Sequence, residues 1–168
     1  MEVGAIEIRP ARRSEALAVA RVHVAADRET YTPIFGAAFE EVPLAESLAR
    51  WETALAAGQI LLVAAEGEAI VGFTHADDAW MSSLYLLATH HRRGLGAALL
   101  AALCERLRTG GIEEVGFKCV VGNHRALAFY AAMGACRLGR ETAGQDDKTW
   151  EECVLSLATD QPAASRRG

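Results

Sequence analysis

Leu84-Tyr85-Leu86-Leu87-Ala88-Thr89-His90-His91-Arg92-Arg93-Gly94-Leu95-Gly96-Ala97 carries an apolar strand through a short polar loop and directly into a helix. Leu95, Leu99, Leu103 and Leu107 recur at helical spacing, and Gly110-Gly111 stops the run. Gly94 and Gly96 allow a ligand to approach the backbone closely, and the first amides of a helix have no partner within it. Those amides and the positive helix end form an anion site, to which Arg92 and Arg93 add charge. A pyrophosphate fits that description. A nucleotide-triphosphate loop of the form Gly-x-x-x-x-Gly-Lys-Ser/Thr does not, because no Lys-Ser/Thr follows Gly96. A dinucleotide fingerprint needs a third small residue where Leu99 stands, and the remaining chain cannot build a doubly wound sheet. The residues alone leave one plainer alternative open, in which both glycines serve only tight packing at the helix start.

Outward from this stretch, strands and helices alternate. Val3 to Ile8 reads as a first strand, and Ser14 as the cap of a helix carrying Leu17, Ala20, Val22 and Val24. Asp27 to Glu41, punctuated by Pro33 and Gly36, reads as irregular. Leu44, Leu48, Trp51 and Leu55 fall on one helical face that Gly58 ends. Ile60 to Ala65 and Ala69 to Phe73, joined by Glu66-Gly67-Glu68, form a hairpin of buried strands, and a further strand covers Trp80 to Leu87. After the glycine-led helix come a strand over Val115 to Val121, a helix from Asn123 to Met133 closed by Gly134, and a last strand over Thr149 to Leu157. This pattern predicts an α/β (α+β) domain spanning 1–159, with a flexible tail over 160–168.

At 168 residues the chain is one domain, and 51% hydrophobic with 23% charged residues suits a packed core. Its formal charge of −5 disfavours a nucleic-acid partner and leaves a cationic small molecule or basic peptide acceptable. Neither a signal peptide nor an apolar run of membrane-spanning length is evident, so a cytoplasmic protein away from the membrane is expected. Cys104, Cys119, Cys136 and Cys153 are widely spread without metal-ligand spacing, which points to free thiols and no metal.

His91 to Ala97 resembles the pyrophosphate loop of the GNAT superfamily of N-acetyltransferases, in which Arg or Gln is followed by two free positions, Gly, one free position, and Gly or Ala. Leu84-Tyr85-Leu86 is similar to the family's fourth strand, whose backbone splays to bond the pantetheine arm. Asn123, Ala126, Phe129, Tyr130 and Gly134 resemble its Asn-x-x-Ala-x-x-Phe-Tyr-x-x-x-Gly segment. The two motifs stand in the family's order and at its usual separation. The resemblance implies a mixed, mostly antiparallel sheet of about six or seven strands flanked by about four helices. It also implies transfer of an acetyl group from acetyl-CoA, a cosubstrate, to a primary amine by direct attack. A small-molecule or peptide acceptor is implied, and a homodimer is compatible with it. The alternative is a coenzyme-A-binding or protein-interaction module of the same fold without turnover.

By the same resemblance, Leu84, Tyr85, Leu86, Arg92, Arg93, Gly94, Leu95, Gly96, Ala97 and Asn123 would hold the coenzyme, and Tyr130 would act as general acid. Three departures stand out. His91 replaces the Arg or Gln, though an imidazole can still donate a hydrogen bond. Ala135 replaces a Phe, and Lys118 stands where some members carry a catalytic glutamate. His75, Asp77 and Asp78 lie near the expected acceptor side, as do Glu29 and Tyr31, but none is assigned as base. Cys119 reads as a structural thiol and His23 as a structural histidine.

Overall fold

The computed structural model describes residues 5–145 and 147–160. Seven strands form one sheet in the order β1-β2-β3-β4-β5-β7-β6. They are β1 (Ile6–Pro10), β2 (Ile60–Glu66), β3 (Ala69–Asp77), β4 (Trp80–Leu86), β5 (Glu114–Val120), β6 (Cys136–Gln145) and β7 (Lys148–Ala158). Only β4 and β5 run parallel; every other neighbouring pair is antiparallel. Helices α1 (Ala16–Phe35) and α2 (Leu44–Ala56) cover one face, and α3 (Leu95–Thr109) and α4 (His124–Ala132) cover the other.

Strand alternation explains the two layers. Along β2, Leu61, Val63 and Ala65 join Val19, Ala20 and Trp51 beneath α1 and α2, while Leu62 and Ala64 join Leu99, Leu100 and Leu103 beneath α3. Burying both faces of the central strands is why they read as unbroken apolar runs instead of alternating ones.

The sequence expectations need four corrections. Asp27 to Phe35 is not irregular but the second half of α1. Pro33 stands within the final turn, where it gives up its own amide's bond to the Glu29 carbonyl without ending the helix, and Gly36 with φ 55° ends it. Ser14 is no cap: a single 3-10 turn over Arg13–Glu15 precedes α1, and the Glu15 carboxylate accepts from the Arg12 amide at 2.7 Å and from Arg9 at 2.6 Å. β3 runs past Phe73 to Asp77, taking His75 into the sheet. β6 was not expected at all. It is the rim strand, exposed along most of its length and carrying two glycines and charged residues, so no apolar pattern marks it. The predicted strand start at Val3 and the predicted tail beyond Asp160 lie outside the described residues.

Candidate active site

The parallel pair β4 and β5 is joined at one register position, Trp80 opposite Gly116, with the Gly116 amide donating to Ala79 at 2.9 Å. Beyond that point the strands diverge. The resulting cleft, of about 660 Å³, is lined by Leu84, Tyr85 and Leu86 of β4, Phe117 and Cys119 of β5, and residues of the loop before α3 and of α4. Gly116 makes the apex feasible, since a β-carbon there would meet the Trp80 ring at 2.8 Å.

At the wide end the backbone turns sharply through two left-handed residues, Arg92 with φ 59° and Gly94 with φ 76°. The first helical bond of α3 runs from the Ala98 amide to Gly94. The amides of Leu95, Gly96 and Ala97 therefore have no partner inside the helix and stand at the cleft. Gly96 has ordinary helical freedom, and an added β-carbon would meet Phe129 at an unstrained 3.5 Å. Folding accordingly does not demand glycine at that position, whereas Gly94 is demanded by its φ.

His91 and Arg125 bind the loop to its surroundings. His91 Nε2 lies 3.0 Å from the Leu86 carbonyl, and an Arg125 guanidinium nitrogen lies 2.9 Å from His91 Nδ1. A carbonyl can only accept and a guanidinium can only donate, so this geometry requires the neutral imidazole with its proton on Nε2. Arg92 and Arg125 both line the cleft. Arg93 does not; it turns to Glu66 at 3.7 Å.

Asn123 caps α4, its side chain accepting from the Ala126 amide at 3.2 Å while also lining the cleft. Tyr130 lies about two turns further along α4, wedged between Phe117 at 4.5 Å and Phe129 at 5.2 Å between ring centres, and is 8% exposed while lining the cleft. Burial pushes its phenol well above the ordinary tyrosine value, and neighbouring Cys119 and Tyr31 add to the rise.

Residues 4–135 match the sequence profile of the GNAT acetyltransferase family. The chain belongs to that family. No curated protein sequence matches it significantly. Among solved structures it is similar to YncA from Salmonella typhimurium, solved with its cofactor acetyl-CoA, at 22% identity and TM-score 0.73 over 96% of this chain and 98% of that one. It is also similar to a ribosomal-protein-alanine N-acetyltransferase from Brucella melitensis, at 21% identity and TM-score 0.73 over 90% and 99%. PaiA N-acetyltransferase from Thermoplasma acidophilum, solved in complex with coenzyme A, matches at 18% identity and TM-score 0.69 over 92% and 99%. At these identities the likeness is one of fold, and the seven-stranded sheet with its four helices is the GNAT fold.

On the opposite face of the GNAT cleft, α1 contributes Thr30 and Tyr31. The Tyr85 hydroxyl donates to Asp27 Oδ1 at 2.8 Å, and burial pushes the Asp27 carboxyl above its usual range, partly offset by that hydrogen bond and by Arg50. Tyr31 is pushed up to about 12, chiefly by burial. Of the residues considered for a base, His75 is buried with its ring held by Ser82 at 2.6 Å and Gln59 at 2.9 Å. Asp77 and Asp78 are exposed at the end of β3, and Glu29 accepts from the Ala88 amide at 2.9 Å. His23 bonds Ser47 at 2.7 Å, and burial lowers both His23 and His75 to about 4. Cys119 is a free thiol pushed up to about 12 by burial. Lys118 lines the cleft and pairs with Glu141.

Asp27 and Arg125 were missed by sequence reasoning. Asp27 stood in a segment read as loop, where a carboxylate is unremarkable, and its partner Tyr85 is 58 positions away. Arg125 occupies a free position of the Asn-x-x-Ala segment, so the motif gave it no role. Among the described residues no cluster of three or more metal-ligating side chains occurs, and no helix is long and apolar enough to cross a membrane.

Proposed function

We propose that this GNAT domain is an N-acetyltransferase that moves an acetyl group from acetyl-CoA to a primary amine by direct attack in a ternary complex. The observation carrying this reading is continuity: one cleft joins the unpartnered amides of Leu95, Gly96 and Ala97 to the buried phenol of Tyr130. The amides and the Arg92 and Arg125 charges suit a pyrophosphate. The diverging β4 edge at Leu84 to Leu86 suits an extended amide chain, and amides near Leu86 would polarise a thioester carbonyl.

Tyr130 is assigned the role of donating a proton to the departing thiolate. Its raised value suits a group that must stay protonated until that moment, because the same dry surroundings also make a thiolate more basic. Cys119 is left out, since its thiol is pushed the wrong way for a nucleophile and histidine makes no hydrogen bond to it among the described residues.

The test is acetyl-CoA-dependent thiol release against a panel containing spermidine, leucine, kanamycin and an alanine-initiated peptide, run beside calorimetry with coenzyme A. Amine-dependent release supports the enzyme. Coenzyme A binding without release on any amine would instead favour a binding module.

A further inference from the structure

We propose that Asp27, acting through the hydroxyl of Tyr85, receives the proton that a cationic primary amine must lose before it can attack. The inference rests on the acetyltransferase reading and names its missing proton acceptor.

Asp27 sits on α1 and is 8% exposed. Its carboxylate takes a hydrogen bond from the Tyr85 hydroxyl at 2.8 Å, and Tyr85 with Tyr31 lines the cleft on the side away from the α3 loop. Tyr85 thus belongs to the wall of the space an acceptor would enter and bonds the buried carboxylate through its hydroxyl. A structural carboxylate here is poorly placed: it is desolvated, its one side-chain donor among the described residues is neutral, and an amide side chain would accept that bond at lower cost. A cationic ligand on the other side of Tyr85 would give the negative charge a use.

The charged and titratable groups around Asp27 are few. His23 and Tyr31 share its helix, Tyr85 faces it from β4, Arg50 acts on it from α2, and Glu41 acts on it from the segment before α2. Arg50 lies over the Trp51 ring at 4.6 Å, and Glu41 pairs with Arg28 at 3.0 Å. His23 and His75 are engaged with serines and held neutral, and Glu29 is tied to the Ala88 amide. Glu152 is the rival carboxylate, but it accepts from the Trp150 indole at 2.9 Å and does not line the cleft. The raised Asp27 value brings it nearer the working range of a proton acceptor than an exposed carboxylate would be.

The step balances. An amine arriving as R–NH3⁺ gives one proton to the Tyr85 oxygen while Tyr85 passes its own proton to Asp27, leaving R–NH2, an intact phenol and a neutral carboxyl. The nitrogen lone pair then forms the N–C bond as the C–S bond breaks, and the second nitrogen proton replaces the one Tyr130 gives to the thiolate. Asp27 returns its proton to solvent, so each turnover yields amide, free thiol and one proton.

The experiment is the pH profile of kcat/KM, from pH 6 to 9, using the most active amine of the panel, for wild type, Asp27→Asn, Tyr85→Phe and Glu152→Gln. Asp27→Asn should lose about 10²-fold at pH 7 with the KM for acetyl-CoA unchanged, and should recover as pH rises and more amine arrives neutral. Tyr85→Phe, which keeps the ring, should give the same profile and guards against a folding failure of the first variant. A loss in both variants that is constant across pH, or activity within twofold of wild type, overturns the assignment. So does a displaced limb in Glu152→Gln with none in Asp27→Asn. Wild-type protein that releases no thiol on any amine overturns the acetyltransferase reading and this one with it.

Discussion

The two sides of the cleft are built from different materials. The side at α3 is made of main chain: three amides, one left-handed glycine and a carbonyl held by His91, all within 12 consecutive residues from Leu86 to Ala97. The side at α1 is made of side chains drawn from distant segments: Asp27 bonds Tyr85, and Tyr85 packs against Phe73 and His23, which in turn meets Trp51. Buried ionisable groups concentrate there. Main-chain sites tolerate most substitutions except those that fill space, whereas side-chain networks answer to protonation.

The sharpest way to break the main-chain side is to occupy it. Gly96→Glu should fold, because a β-carbon at that position meets only ordinary contacts, yet coenzyme A affinity should fall by about 10³-fold or more as a carboxylate enters the anion site. Calorimetry giving an unchanged affinity would remove the basis for a phosphate site. Between the two sides stands Tyr130. Tyr130→Phe retains the packing against Phe117 and Phe129, so stability and coenzyme A affinity should hold while turnover drops by roughly 10²-fold. Turnover within twofold would return Tyr130 to the role of a core aromatic.

The side-chain side should be revealed by acid. His23 and His75 sit at about 4 in the fold, below their unfolded value near 6.5, so the unfolded chain binds more protons in that window. Stability contributed by their neutral burial is complete above about pH 6.5 and is lost as pH falls toward 4, by about 3 kcal/mol for each histidine. Urea unfolding at pH 7 and 4.5 should register this loss, and His75→Gln should remove roughly half of it. An identical pH dependence in the variant would mean that the imidazole protonates in place without penalty. The smallest effect belongs to Arg93→Ala. With its guanidinium turned to Glu66 and 40% exposed, coenzyme A affinity should fall only about threefold at low salt and converge with wild type at high salt. A salt-independent loss would make Arg93 a packing residue.

This contrast also explains what could be read from the residues. Gly94, Gly96 and Asn123 stand at helix starts, which leave short, contiguous signatures, and the sheet's buried strands announce themselves as apolar runs. Asp27 and Tyr85 meet only after α1 has packed on β4, and Pro33 disguised the length of the helix that brings them together. β6 lacks a buried face, so hydrophobic periodicity had nothing to report.

The single Trp80–Gly116 pairing has one more consequence. Because β4 and β5 part company there, the sheet possesses a seam in its interior as well as two outer rims, and alternate main-chain groups of both strands face each other across it without ladder bonds. An extended molecule carrying amides can lie in that seam as a substitute strand. Coenzyme binding should therefore register as slowed amide hydrogen exchange along Leu84–Leu86 and Phe117–Cys119, a sheet completed by something that is not protein.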